Sequence, residues 1–194
     1  MHDYYDPHPV VTIDRHVVIA GYIGAESRQI GYQLAALTGL GVTDLDRKIE
    51  HHVGRSIQEL IWSQGEWRYR QLERKYLGRL LAERPWSILS VGDGALIDDR
   101  VRQQVLDQAL LVVLDVDLPN CFWRIKSQQD DAQVDWHPLY PGPIERFEQL
   151  RPFYEQRWPG FSEGHHHIEL RGKGRKEIVE RLMELIGGGE RYAN

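Results

Sequence analysis

Short β-branched runs alternate along the chain with stretches whose apolar residues recur at helical spacing. Val17-Val18-Ile19-Ala20, stopped by Gly21, reads as a buried strand of a parallel sheet, where both faces are covered. From Ser27 to Thr38 the apolar positions Ile30, Leu34 and Leu37 fall at intervals of four and three, which places them on one helix face. Gly39-Leu40-Gly41 ends that helix, and Val42-Thr43-Asp44 begins a second short strand. Helices are expected over Arg47 to Val53 and over Ser56 to about Leu81, the second broken at Gln64-Gly65. Trp86 to Val91 reads as a strand ended by Gly92-Asp93-Gly94, and Ala109 to Val116 as the most apolar strand. Further helices are expected at Arg100 to Gln108, Leu118 to about Lys126, Ile144 to about Gln156 and Lys176 to Ile186, with a strand near His166 to Leu170.

Strands that alternate with helices imply crossover units, so the pattern predicts an α/β domain of three layers, α/β/α, around a central parallel sheet. Residues 1–16 form a polar leader, 17–186 the domain and 187–194 a tail opened by glycines. Within the domain, about 128–143 is polar and punctuated by Asp and Pro, as in a lid or a surface excursion.

The 194 residues suit one domain, with 41% hydrophobic and 27% charged residues, ordinary for a soluble globular chain. A net charge of -5 offers no broad attraction to nucleic acid or to an anionic membrane. The basic stretch Arg171 to Lys176 reads as a solvated turn before a helix. Cys121 is the single cysteine, so no internal disulfide forms. Met1 to Pro9 has neither the basic nor the apolar region of a signal peptide, and no apolar run approaches the roughly 20 residues that span a bilayer. The expected compartment is cytoplasmic. In His165-His166-His167, neighbours on a strand point to opposite faces, so no metal site is expected there.

The turn after the first strand carries the candidate chemistry. A strand, a Gly-rich turn and a helix N-terminus hold phosphate, because free N–H groups and the helix dipole face the anion. The phosphate-loop pattern is Gly-x-x-x-x-Gly-Lys-[Ser/Thr]; the chain has Gly21-Tyr22-Ile23-Gly24-Ala25-Glu26-Ser27-Arg28. Glu26 replaces the second glycine, Ser27 the lysine and Arg28 the hydroxyl that holds Mg²⁺. A carboxylate in the phosphate hollow and the loss of the lysine both work against a nucleotide. Arg28 is not expected to swing back and replace the missing lysine charge, since one step along a helix turns a side chain by roughly 100°. By itself the loop is an ordinary strand-to-helix turn.

Its surroundings change that reading. Gly21 to Gly31 resembles the Gly-Phe-Met-Gly-Ala-Gly-Lys-Ser-Thr-Val-Gly loop of shikimate kinases. Asp44-Leu45-Asp46-Arg47-Lys48-Ile49-Glu50 resembles that family's Asp-Thr-Asp-x-x-Ile-Glu, and Gly54 to Leu60 its Gly-x-Ser-Ile-x-Glu-Ile. Gly65-Glu66-Trp67-Arg68-Tyr69-Arg70-Gln71-Leu72-Glu73 is similar to Gly-Glu-x-x-Phe-Arg-x-x-Glu. Gly92-Asp93-Gly94 stands at its Gly-Gly-Gly, and Pro152-Phe153-Tyr154 at its Pro-Leu-Tyr. The resemblance runs in order from about Val17 to Ile186 and implies a P-loop-kinase-like fold.

The resemblance also implies roles. The family transfers the γ-phosphoryl of ATP to a hydroxyl of shikimate, a small carboxylated polyol. Asp44 stands at its Mg²⁺-side aspartate, and Asp46 at the aspartate that accepts from substrate hydroxyls. Arg70 stands at the arginine that holds the carboxylate, a pairing suited to a guanidinium fork. Gly92 and Gly94 stand where backbone approaches the substrate. Read alone, Asp44 and Asp46 would be an Asx turn and N-cap, and Arg70 a helix-surface partner of Glu66 or Glu73. Asp93 adds a negative charge beside a carboxylated ligand. His137 replaces the lid arginine, and Leu150 a second carboxylate-binding arginine, with Arg151 one residue off.

The expectation is therefore a catalytically impaired or non-catalytic relative of shikimate kinases that keeps a pocket for a hydroxylated carboxylate such as shikimate. One alternative is an active kinase, with ATP and Mg²⁺ as cofactors and Arg28, Arg124 or Lys126 in place of the loop lysine. Another is a protein-interaction module with a vestigial pocket, for which Trp62, Trp67 and Trp123 are the contact candidates, although core or pocket-lining places are expected for them.

Overall fold

The computed structural model of the chain describes residues 11–131 and 144–187, so residues 1–10, most of the segment 128–143 expected as a lid, with His137, and residues 188–194 lie outside them. Strands β1 (His16–Gly21), β2 (Val42–Asp44), β3 (Ile88–Ser90), β4 (Ala109–Asp115) and β5 (His166–Glu169) form one sheet in the order β2-β3-β1-β4-β5. Every pairing is parallel, with Val18 opposite Leu89 on one side and Leu111 on the other. The helices are α1 (Ser27–Thr38), α2 (Leu45–Val53), α3 (Ile57–Gln64), α4 (Glu66–Ala82), α5 (Asp99–Gln108), α6 (Leu118–Asp131), α7 (Arg151–Ser162) and α8 (Arg175–Gly187).

Right-handed crossovers put α1, which leads from β1 to β2, on the opposite face from helices that lead the other way. Accordingly α1 packs with α8 on one face, and α4 with α5 on the other. Ile30 and Leu34 of α1, Val179 and Leu182 of α8, and Leu77 and Val105 of the opposite layer close over Val18, Ile19, Leu111 and Val112. No helix among the described residues is long and apolar enough to cross a membrane.

Local sequence explains most boundaries. α1 stops because Gly39 takes the left-handed conformation and returns its N–H to Ala35 O. Ser56 and Glu59 cap α3 reciprocally, and Gly65 divides α3 from α4 as its position predicts. Two segments differ from the sequence reading. The expected helix over Ile144 to Gln156 is a 3₁₀ turn, Phe147–Leu150, followed by α7, which starts beside Pro152 and continues to Ser162. The third strand is confined to Ile88–Ser90.

The connections leaving the neighbouring strands β1 and β4 run to opposite sides, which opens a crevice beyond their carboxyl ends. Gly21 ends β1 there. A β-carbon on it would lie 2.6 Å from Ala25 Cβ and 2.9 Å from Leu114 O, so only hydrogen fits between the turn and β4. Gly21→Ala is expected to lower unfolding free energy by about 1–3 kcal/mol, the usual range for overpacking, as read by urea denaturation.

Candidate functional site

The turn between β1 and α1 is drawn tight by Ala25 N donating to Tyr22 O at 2.9 Å. Glu26, at the N-cap of α1, has φ 59° and ψ 30°, the left-handed conformation in which a glycine carries no penalty. Its side chain makes no capping bond. Instead its carboxylate accepts from Arg175 Nη2 at 2.9 Å and lies 3.8 Å from Arg124 Nη1. The anion expected in the loop hollow is thus drawn to guanidinium groups from α8 and α6. Arg124 also donates to Gly24 O at 3.4 Å. The basic turn read as solvated therefore supplies Arg175 as a partner for the loop.

Arg28 is held at the end of β2. Its Nε donates to Asp44 Oδ2 at 2.9 Å and its Nη2 stands 3.8 Å from Asp46 Oδ2. The 100° argument treats a side chain as a stub, whereas the long arginine reaches across to the end of β2. Gly21, Gly24, Glu26, Ser27, Arg28, Asp44, Asp46, Gly92 and Asp93 line one cavity of about 180 Å³. Arg70 and Gly94 line a second, of about 460 Å³, between α4, the Gly92–Gly94 loop and α7. The residues expected to share one ligand thus open on adjoining cavities.

Tyr69 and Glu73 of α4 form the seam. Tyr69 OH donates to Asp46 Oδ1 at 2.8 Å. Burial pushes the Asp46 carboxyl up to about 6, against the lowering effect of that hydrogen bond and of Arg28. Burial likewise pushes the Glu73 carboxyl up to about 7, although Arg70 Nη1 donates to it at 2.6 Å. Arg70 Nε donates to Glu66 at 3.0 Å, which realises the helix-surface pairing as well. The Arg70 guanidinium lies flat over Gly94, where a β-carbon would come within 2.3 Å of Cζ. Gly94 is needed for that approach.

The charge of Asp93 does not stand bare beside a ligand. Arg157 of α7 meets it at 2.7 Å, and the two side chains are 2% and 7% exposed. Sequence reading missed Arg157. It lies seven residues, two helical turns, beyond Leu150, the position of the missing arginine, and so falls on nearly the same helix face. Leu150 itself is buried, and Arg151 is exposed beside Glu155.

Three tryptophans expected in the core or a pocket are largely exposed: Trp62 70%, Trp67 68% and Trp123 67%, although Trp67 does border the second cavity. The histidine run diverges. His165 Nδ1 accepts from Leu111 N, and His167 faces Asp115 at 2.9 Å.

A divalent metal fits this loop poorly. The residue at the metal-holding hydroxyl is a guanidinium already bonded to Asp44, and no lysine follows the turn. Removing one partner of a buried ion pair usually costs about 3–5 kcal/mol. Arg157→Met alone should lose stability in that range, and Asp93→Gly combined with Arg157→Met should recover most of it. Chemical denaturation of the single and double variants checks the coupling.

With the geometry in hand, comparison with known proteins gives a consistent result. The family model for shikimate kinase matches residues 24–187. The shikimate kinase of Zymomonas mobilis is 33% identical over 172 residues, covering 89% of this chain and 93% of that protein. That of Caulobacter vibrioides is 30% identical over 172 residues, 88% of this chain and 81% of its own. A shikimate kinase from Acinetobacter baumannii, solved in complex with shikimate, superposes with a TM-score of 0.78 at 23% identity, over 91% of this chain and 95% of that one. The ordered motifs, the parallel sheet and these matches agree, and the chain belongs to the shikimate kinase family.

Proposed function

We propose that the chain keeps the acid-binding half of a shikimate kinase and is impaired in, or without, phosphoryl transfer. The observation that carries this reading is Glu26: its carboxylate, in the loop that should cradle phosphate, engages Arg175 and lies near Arg124. Phosphoryl transfer depends on positioning and on neutralising charge around the γ-phosphate. A carboxylate there takes up the cations that would otherwise meet a phosphate, Arg175 above all, and no lysine stands in the loop, so both are opposed.

The ligand of the remaining half is a small hydroxylated carboxylate, with shikimate as the reference compound. Asp46 accepts from hydroxyls on the first cavity, and Arg70 pairs with the carboxylate on the second. The Arg70 guanidinium borders the second cavity and is held between Glu66 and Glu73, so a ligand carboxylate reaches it in competition with those two partners. Such an acid reaches across the seam at Tyr69 and Gly92.

A second reading, an active kinase with rearranged phosphate contacts, is favoured by the arginines gathered at the loop, Arg28, Arg124 and Arg175. Thermal-shift titration with shikimate and related acids tests the first reading. Millimolar acid should raise the melting temperature, and Arg70→Ala should weaken binding roughly thirtyfold or more, as expected when a desolvated charge pair loses a partner. No stabilisation by any acid would instead favour an interaction role for the exposed tryptophans. ATP-dependent phosphorylation of shikimate in the same preparation would favour the active kinase.

A further inference from the structure

Asp44 ends β2 with its side chain 5% exposed, and each of its oxygens already has a partner. Oδ1 accepts from Arg47 N at 2.9 Å and so caps α2; Oδ2 accepts from Arg28 Nε at 2.9 Å. Arg28 is the second residue of α1, and it borders the first cavity together with Gly24, Glu26 and Ser27. In phosphate-binding loops this helix position carries a hydroxyl that holds Mg²⁺, and a strand-end aspartate completes the protein's share of the metal shell. A guanidinium has donors only and cannot ligate a metal. It does bring positive charge to the same carboxylate.

We infer that Arg28 is a tethered cation standing in for the divalent metal of this cleft, so that anions and hydroxyls enter it without one. Asp44 would leave a nearly buried carboxylate uncompensated if no cation met it, and Arg28 supplies that cation permanently. Tethering gives the guanidinium an effective concentration of roughly millimolar or higher. A free metal ion must therefore displace a charge-assisted hydrogen bond and approach a fixed positive charge. The side chain of Arg28 is 38% exposed, so part of the guanidinium remains accessible from the cavity. Those donors can pair directly with oxygens of a carboxylate or phosphate.

This inference deepens the reading of the nucleotide half, but its test uses neither acid nor nucleotide. The probe is Mn²⁺ alone, followed by the electron paramagnetic resonance signal of the free ion. The wild-type chain should leave Mn²⁺ free up to millimolar concentration. Arg28→Ser should bind one Mn²⁺ with at least tenfold higher affinity, and adding Asp44→Asn should remove the gain. Arg28→Lys, which keeps the charge, should behave as wild type; Arg28→Ala is a second charge-removing variant, and circular dichroism verifies that each variant is folded. A folded Arg28→Ser that binds Mn²⁺ no better than wild type, or a wild-type chain that binds Mn²⁺ at micromolar concentration, overturns the inference. Either result leaves the acid-binding test untouched, so the two readings can fail separately.

Discussion

A carboxylate buried at the carboxyl edge of a parallel sheet must meet a cation or hold a proton, and that constraint organises the cleft of this protein. Asp44 meets Arg28, Asp93 meets Arg157, Glu73 meets Arg70, and Glu26 at the mouth meets Arg175. Asp46 shares Arg28 at longer range, takes a hydrogen bond from Tyr69 and is shifted upward by burial. In a nucleotide-binding kinase, ligands supply part of this charge balance: phosphates face the arginines and a metal faces the aspartates. Here the chain supplies both signs itself.

That internal balance links the departures at positions 26, 28 and 93, which look independent in sequence. Glu26 introduces an anion and Arg175 answers it from α8. Arg28 introduces a cation and is held by Asp44 at the end of β2. Asp93 introduces a second anion, and Arg157 answers it from two turns along α7. The Asp93 and Arg157 pair is almost fully dehydrated, so its members depend on each other far more than an exposed pair would. Arg70, by contrast, keeps some exposure, 19% against 2% for Arg157, and borders the second cavity.

The fold was legible wherever local rules decide. The four-and-three spacing of Ile30, Leu34 and Leu37 with Gly39 behind it defines α1, and Val17 to Ala20 marks β1. The third strand is shorter than its apolar run because pairing with β1 and β2 involves only Ile88 to Ser90. The start of α7 was misplaced because the stretch before it closes as a 3₁₀ turn, a choice that periodicity does not reveal. At the site, Asp44, Asp46 and Gly92 line the first cavity and Arg70 and Gly94 the second, a division that motif order along the chain does not reveal. Arg157 belongs to no motif and gains its role only when α7 docks on the Gly92–Gly94 loop. The Arg28 contact with Asp44 is not legible in sequence, because helical rotation says where a Cβ points, not how far a guanidinium reaches.

Calorimetric titration of the wild-type protein with MgATP tests most directly whether the chain's own charges occupy the nucleotide half of the fold. The expected dissociation constant is about a millimolar or weaker, equivalent to about -4 kcal/mol at most. A dissociation constant in the range of tens of micromolar would contradict it.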